Sequence, residues 1–583
     1  MVSSPDAPPD RADAVLGYLA DAPLLAMGDL ARLVGPGEPR ALGAMGSSPV
    51  GNIALPTGDE PIAYYYLTDV GVGRVARARG ETPLAFAAVA GLGRRALQRR
   101  LIRIDHLTAS RAALIDLALG VAARGGAAGW RPWPLAWRVP AGAAPARGPA
   151  PCVLDGEIDL AFPGGARHRA ALLWDGGPAP PERLRARLAE IARLPLSAGL
   201  PPVLVVTADP WRLPDALPPA VLWCTTTEFG VAAPLDAPWR GARLPPGGLA
   251  LPDALAGLGP YARRGGPGTV YTVAGAPPAA GEPLLPRGTA APPHLTMPAV
   301  LAPGDWTVLA AVAAAPFITS GQLARAHGMA PAMVARGLAV AAAHGLLAPP
   351  AYGPGAEDAH HTVSVAGVDL LARRAGLRAG RYGVLYRADA GDAPGGRLVA
   401  LRQKLAHTRG VNDVYVYLVR GARATGIPLS WYGEQRAWIR LGDGGDTFYL
   451  KPDARGTLGH RPRVSFFLEY DRGTARDDED LRVKFAAYYA LRRARGLVRL
   501  HVLAVAPAGR VERLLEAARG AAPLAERVDG EWLDLRVTTP GALVHGRLDS
   551  AIWRVSGRAS PVPLLGSGGI APLALSPSSA SRR

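Results

Sequence analysis

A chain that carries the same residue pattern twice, in the same order, is constrained to fold as two related units. His106 is followed 24 residues later by Trp130 and, seven further on, by Trp137; His407, Trp431 and Trp438 keep the same two intervals. Upstream, YYYLTDVGVGRVARARG (64–80) parallels HHTVSVAGVDLLARRAG (360–376), which sets Gly71 on Gly367. Downstream, ALLWDGG (171–177) parallels FLEYDRG (467–473), setting Asp175 on Asp471. RLRARLAEIARL (183–194) then follows DLRVKFAAYYAL (480–491), and PVLVVTAD (202–209) follows LHVLAVAP (500–507). Matches kept in order read as a duplication, one copy over about Ala14–Pro245 and the other over about Pro303–Asp549.

Each copy divides in two. In the second, Asp305–Ala315 reads as an apolar helix, and Thr319 with Gln322 three residues on forms a capping box for the next. Pro331 suits the first turn of a third helix that Gly345 ends. LLAPPAYG and HHTVSVA follow as short strands, so three helices and a hairpin make a winged helix-turn-helix. The remainder reads α-β-β-β-α-β: a helix over Arg409–Thr425, strands over Ser430–Arg440, Thr447–Pro452 and Val464–Tyr470, a helix over Glu479–Arg495 and a strand over Val498–Ala506. That order predicts an α/β fold with a mixed sheet.

Composition narrows the function. Net charge is +17, which favours a polyanionic partner such as nucleic acid or an acidic membrane surface. Two cysteines exclude a disulfide scaffold, a cysteine-rich zinc site and an iron–sulfur cluster. The opening MVSSPDAPPDRADAV lacks a basic region followed by an apolar run, and the apolar stretches near Val308–Phe317 and Ala339–Ala343 are far below spanning length. A soluble cytoplasmic protein with no membrane partner is expected. Of 65 basic residues only Lys404, Lys451 and Lys484 are lysine, so each is a candidate for a position that needs a compact ammonium.

The chemistry-bearing residues fall on the second sheet. Asp453 is expected at the end of its second strand, with Glu469 and Asp471 on one face of the third by period two. Glu434 is a further acid on the first strand, and Lys484 lies in the following helix. Asp453 and Glu469 make hard-oxygen ligands for Mg²⁺, while Lys484 would stabilise charge on a phosphate, with Glu434 and Asp471 assisting. Arg336 on the third helix of the winged module, Arg409 and Arg472 are the candidate DNA contacts. Taken singly, a Pro-Asp pair is a turn, His407 a helix-start or core histidine, and Trp431 and Trp438 core aromatics.

The segment from about Arg402 to Ala518 resembles the PD-(D/E)xK nuclease superfamily, carried by Pro452–Asp453 and Glu469. The third position of its E-x-K element here is Asp471, so Lys484 would be a migrated lysine, or Lys451 a substitute. Over about Pro303–Gly520 the chain more closely resembles the replication-relaxation family of actinobacterial and plasmid-associated proteins. The motifs are HTRGVND (His407, Asn412, Asp413), Pro452–Asp453, and Glu469–Tyr470–Asp471–Arg472–Gly473–Thr474. The resemblance implies a role in replication or DNA relaxation on mobile elements.

The expected layout is a degenerate winged helix (1–92), a degenerate nuclease-like domain (93–250), a Pro/Gly-rich linker (251–300), a winged helix (301–395), a nuclease-like domain with the candidate metal site (396–565) and a disordered tail (566–583). Alignment of the copies turns Glu434 into Trp133, Glu469 into Leu173, Asn412 into Arg111 and Lys484 into Arg187, with Asp159 replacing Asp453. Two functions follow: a DNA-binding protein with Mg²⁺-dependent nicking in the C-terminal copy, or a non-catalytic DNA-binding accessory of plasmid replication or transfer. Partners would be DNA, a second copy of the chain, or other replication or transfer proteins.

Overall fold

The computed structural model describes residues 11–34, 49–56, 60–137, 152–176, 181–194, 199–208, 212–214, 216–231, 233–259, 269–270, 275–285, 292–350, 359–377, 379, 396–427, 429–441, 448–458, 464–473, 478–494, 500–522, 533–555 and 558–564. It divides into two compact units, Met1–Pro303 with Arg373–Leu377, and Gly304–Ala372 with Arg378–Arg583. The tail expected to be disordered from Gly566 lies outside the described residues.

The first unit opens with helices Arg11–Asp21 and Met27–Val34 beside a three-stranded antiparallel sheet. Its larger sheet runs β1 (Ala127–Trp137), β2 (Cys152–Ala161), β3 (Arg167–Asp175), β4 (Val203–Thr207), β5 (Val221–Thr225), β6 (Arg240–Gly241), with Thr269–Val270 flanking β1. β1 to β3 are antiparallel, β3 to β5 parallel, and β6 turns back. Helix α1 (Ile104–Ala123) packs Leu114, Leu117 and Val121 on one face, against Ile158, Leu172 and Leu204. Helix α2 (Pro181–Arg193) packs Leu184, Leu188 and Ile191 on the other, against Leu154, Leu173 and Val203. With both faces covered, β4 (VLVVT) is buried at every position, as the unbroken apolar run of a parallel strand requires. By length and composition α1 could cross a membrane; here it is the central helix of this layer.

The second unit opens with helices Pro303–Ala314, α3 (Ser320–His327) and Pro331–Ala343; Ile318–Thr319 pairs with His360–His361, and Leu347 bridges Val363. The capping box forms as expected, Gln322 N–H donating to Thr319 Oγ1 at 3.2 Å and Thr319 N–H to Gln322 Oε1 at 3.0 Å. Helix α4 (Leu405–Thr425) leads into a sheet ordered β7 (Leu429–Gly433), β8 (Ala454–Leu458), β9 (Val464–Tyr470), β10 (His501–Val505), β11 (Asp534–Thr538), β12 (Arg554–Val555). Helix α5 (Asp478–Ala494) connects β9 to β10. Again the first three strands are antiparallel, the next two steps parallel and the last antiparallel. The two sheets therefore share strand order and direction from β1 to β6 and from β7 to β12. Leu24 (φ 69°) and Phe317 (φ 63°), the non-glycine residues with positive φ among those described, occupy matching places: each N–H donates to a strand carbonyl, of Tyr65 and of His361.

Three expectations need correction. Ser430–Arg440 and Thr447–Pro452 are not two sheet strands: β7 ends at Gly433, Glu434–Ala437 is a single helical turn, and Ile439–Leu441 pairs with Phe448–Leu450 as a separate hairpin. The strand beside β9 begins after Pro452, so Asp453 leads into β8 rather than closing a strand; proline has no N–H to give a ladder. Finally, the expected 251–300 linker is in part packed. Leu251–Gly257 is a helix whose Leu251, Ala254 and Leu255 join the core, Leu284 and Leu285 are buried, and Gln98 donates to the Leu284 carbonyl at 2.9 Å.

The matched glycines mark a close approach. A Cβ on Gly71 would lie 2.1 Å from the carbonyl oxygen of Pro49, and one on Gly367 2.2 Å from that of Leu346. Gly73, on the same helix as Gly71, has nothing within 4 Å of that position. Gly71→Ala and Gly367→Ala should each cost about 1–3 kcal/mol in thermal or urea unfolding, whereas Gly73→Ala should be neutral or stabilise by up to about 1 kcal/mol.

Candidate functional site

Asp453 and Glu469 are brought together because β8 and β9 are antiparallel neighbours and Asp453 N–H donates to the Leu468 carbonyl at 3.0 Å. Asp453 Oδ1 lies 2.9 Å from His407 Nε2, in the first turn of α4, and Oδ2 accepts the Tyr470 N–H at 2.7 Å. Helix and sheet are thus joined through one carboxylate. His407 stacks edge-on against Tyr470, their ring centres 5.7 Å apart. Read from sequence as a core or helix-start histidine, it lies at the centre of the site.

Period two holds on β9: Phe467 and Glu469 face α5, while Phe466 and Leu468 face the α4 side. Glu469 is 5% exposed, and its oxygens are gripped from one face of α5. Tyr488, fully buried, donates its hydroxyl to Oε1 at 2.6 Å, and Lys484, one helical turn earlier, pairs with Oε2. Burial pushes the Glu469 carboxyl up to about 7, and the charge of Asp453 adds to this against the opposing ammonium of Lys484. Burial works against the Lys484 ammonium, but Glu469 and Asp453 outweigh it and raise its pKa.

Asp471, just past β9, accepts from Arg510 Nε and from the Gly473 N–H, each at 2.8 Å. An open cavity of about 400 Å³ is lined by Asp453, Glu469, Asp471 and Asp480, and by Lys404, His407, Arg472 and Lys484. Glu434 heads the helical turn after β7 and is not in that lining; burial and then Asp453 raise its pKa. Of the three expected DNA contacts only Arg472 lines the cavity. Arg409 is exposed on α4, and Arg336 is exposed with Asp305 3.7 Å away. Lys451 stands over the Trp438 ring at 4.8 Å and is no substitute cavity lysine. Lys404, singled out by the scarcity of lysine, lines the cavity, while Tyr488 and Arg510 were missed. The four-residue interval from Lys484 could have found Tyr488. Thr474 lies outside the described residues.

The first unit holds the same frame with different contents. His106 Nε2 lies 2.9 Å from Asp155 Oδ1, and Trp174 N–H donates to Asp155 Oδ2 at 2.9 Å. Asp155, not Asp159, is therefore the counterpart of Asp453; Asp159 is exposed and pairs with Arg169. Leu173 stands where Glu469 does, Arg187 where Lys484 does, and Arg212 donates to Asp175 at 2.8 Å as Arg510 does to Asp471.

The donor set fits a divalent cation of the magnesium type, which takes one or two carboxylates and completes its shell with water and phosphate oxygens. Asp453 and Glu469 supply two hard-oxygen groups to one cavity; burial is the main cause that raises Glu469, and the smaller repulsion from Asp453 is what a cation there would relieve. Among the described residues no three acid, histidine or cysteine side chains form a metal cage.

Because the folded pKa of Glu469 lies above its ordinary 4.5, ionising it weakens the folded state. Stability should fall between pH about 4.5 and about 7, by on the order of 3 kcal/mol, in the wild type and not in Glu469→Gln. Urea unfolding across that range checks it.

Residues 309–499 match the family model described as Replication-relaxation. No curated protein matches the chain, and no solved structure does. The matched segment runs from the first helix of the second unit through α5 and so contains His407, Asp453, Glu469 and Lys484; over these residues the chain is similar to the replication-relaxation family.

Proposed function

We propose that this is a DNA-binding protein of plasmid or mobile-element replication or transfer, and that its C-terminal unit cleaves one strand of DNA at the cavity between α4, β9 and α5. The carrying observation is that Asp453 and Glu469 open into one cavity beside Lys484, on an α-β-β-β-α-β frame. Asp453 and Glu469 would hold Mg²⁺, which supplies the positive charge that a phosphodiester under attack requires. The chain's own residues do the rest. His407 fixes the Asp453 carboxylate, Tyr488 fixes Glu469, and Lys484 offers an ammonium to a phosphate oxygen.

The helices Pro303–Ala314, α3 and Pro331–Ala343, with their short strand pair, are read as a winged helix that presents DNA to this cavity. The shared strand order of the two sheets, the paired histidine–aspartate contacts and the paired positive-φ residues support the reading of two copies of one unit. A second reading, a non-catalytic DNA-binding accessory, is favoured by one observation: Asp471 occupies the position of the superfamily's lysine and is tied to Arg510.

Cleavage of supercoiled plasmid with Mg²⁺ or Mn²⁺ separates them. Nicking that falls at least about a hundredfold in Asp453→Ala and in Lys484→Ala, with DNA binding in chelator intact, is the expected result. Binding in chelator without cleavage under any condition would leave the accessory reading. Absence of DNA binding would sink both.

A further inference from the structure

Four basic side chains line the cavity of the second unit: Lys404, His407, Arg472 and Lys484. Two of them are engaged by its acids. His407 is held by Asp453, and Lys484 pairs with Glu469, so much of that ammonium's charge is answered inside the protein. Lys404 and Arg472 differ. Both are exposed, and neither has a hydrogen bond or an ion pair among the described residues.

Their placement follows from the elements that carry them. Lys404 is the residue at which helix Gly396–Gln403 gives way to α4, three positions before His407, which brings both side chains to one cavity. Arg472 lies two positions after Tyr470, the ring against which His407 stacks. One cation therefore belongs to the helix side of the His407–Tyr470 contact and the other to the strand side. Neighbouring acids do not cancel them. Asp453 has both oxygens occupied, and Asp471 is taken by Arg510 and the Gly473 N–H. Glu434 and Asp480 pair with neither, although Glu434 feels the charge of Lys404. Composition adds a reason for the first of the two. In a chain where 62 of 65 basic residues are arginine, a lysine at the cavity supplies a compact ammonium that suits a phosphate oxygen as a point charge.

We propose that Lys404 and Arg472 form a backbone-binding subsite, which holds a DNA phosphate beside the one that reaches Asp453 and Glu469. The inference rests on the DNA reading given above and deepens it by dividing the cations: Lys484 serves the phosphate at the acids, whereas Lys404 and Arg472 hold the strand. It does not require cleavage, so plasmid nicking can fail without touching it.

Anisotropy of a labelled single-stranded oligonucleotide with the full chain, in chelator and over a range of salt concentrations, tests it. Lys404→Gln should bind roughly threefold to tenfold more weakly near 0.1 M salt, and the slope of log K against log salt should fall by about 0.7, the value for one lost phosphate contact. Arg472→Gln should do the same, and Lys404→Arg should keep the wild-type slope. Arg547→Gln removes an equal charge from an exposed side chain outside the cavity lining, and should also keep the slope. Each of these side chains is exposed, and thermal unfolding of every variant confirms that the fold is retained. A lowered slope without nicking upholds the subsite and leaves the accessory reading of the protein. A Lys404→Gln chain with the wild-type slope, or an equal fall in Arg547→Gln, overturns the subsite even where nicking succeeds. A wild type that binds no oligonucleotide overturns the subsite together with the DNA reading.

Discussion

A carboxylate shared between a helix and a sheet organises both halves of this molecule. Asp453 has its two oxygens engaged from different elements, one by a histidine in the first turn of α4 and the other by a main-chain N–H of β9. Asp155 does the same between α1 and β3. A buried carboxylate is tolerated only when its oxygens are satisfied, so this contact fixes where the helix begins relative to the sheet. Everything that differs between the two clusters is set around that fixed point. In one unit the additions are Glu469, Lys484 and Tyr488; in the other they are arginines and an apolar residue.

Much of this frame is legible in the residues. The two tryptophan intervals, the paired glycines and the runs VLVVT and HVLAV follow from periodicity and steric need, which leave a strong mark on sequence. The parallel central strands read as continuous apolar runs because both faces are covered, and Glu469 falls on the α5 face because strand side chains alternate. The capping box at Thr319 and Gln322 was equally plain, being a purely local signal.

What escaped the sequence were pairings between distant elements. The four-residue interval from Lys484 marks Tyr488 only once α5 is known to lie over Glu469, and nothing near Arg510 says that it neutralises Asp471; both depend on how helices lie across the sheet. Asp159 was named and Asp155 was not, because the local sequence does not say which aspartate of β2 the helix meets. The hairpin before Pro452 was read as a sheet strand because strand propensity carries no record of which sheet a strand joins. Lysine scarcity was a more faithful guide: Lys404 and Lys484 line the cavity, and Lys451 covers an indole.

Helix α4 has a mechanical consequence beyond its packing. Along its length His407 reaches the sheet, Asn412 donates to the Pro316 carbonyl at 2.9 Å, Asp413 accepts from Gln322 of α3 at 2.8 Å, and Arg423 donates to the Ala326 carbonyl at 3.0 Å. One rigid rod is therefore bolted to the helical module along one side and to the Asp453 carboxylate at its end. A shift of the helical module about this rod therefore has to break one of these contacts or move the His407 ring against Asp453.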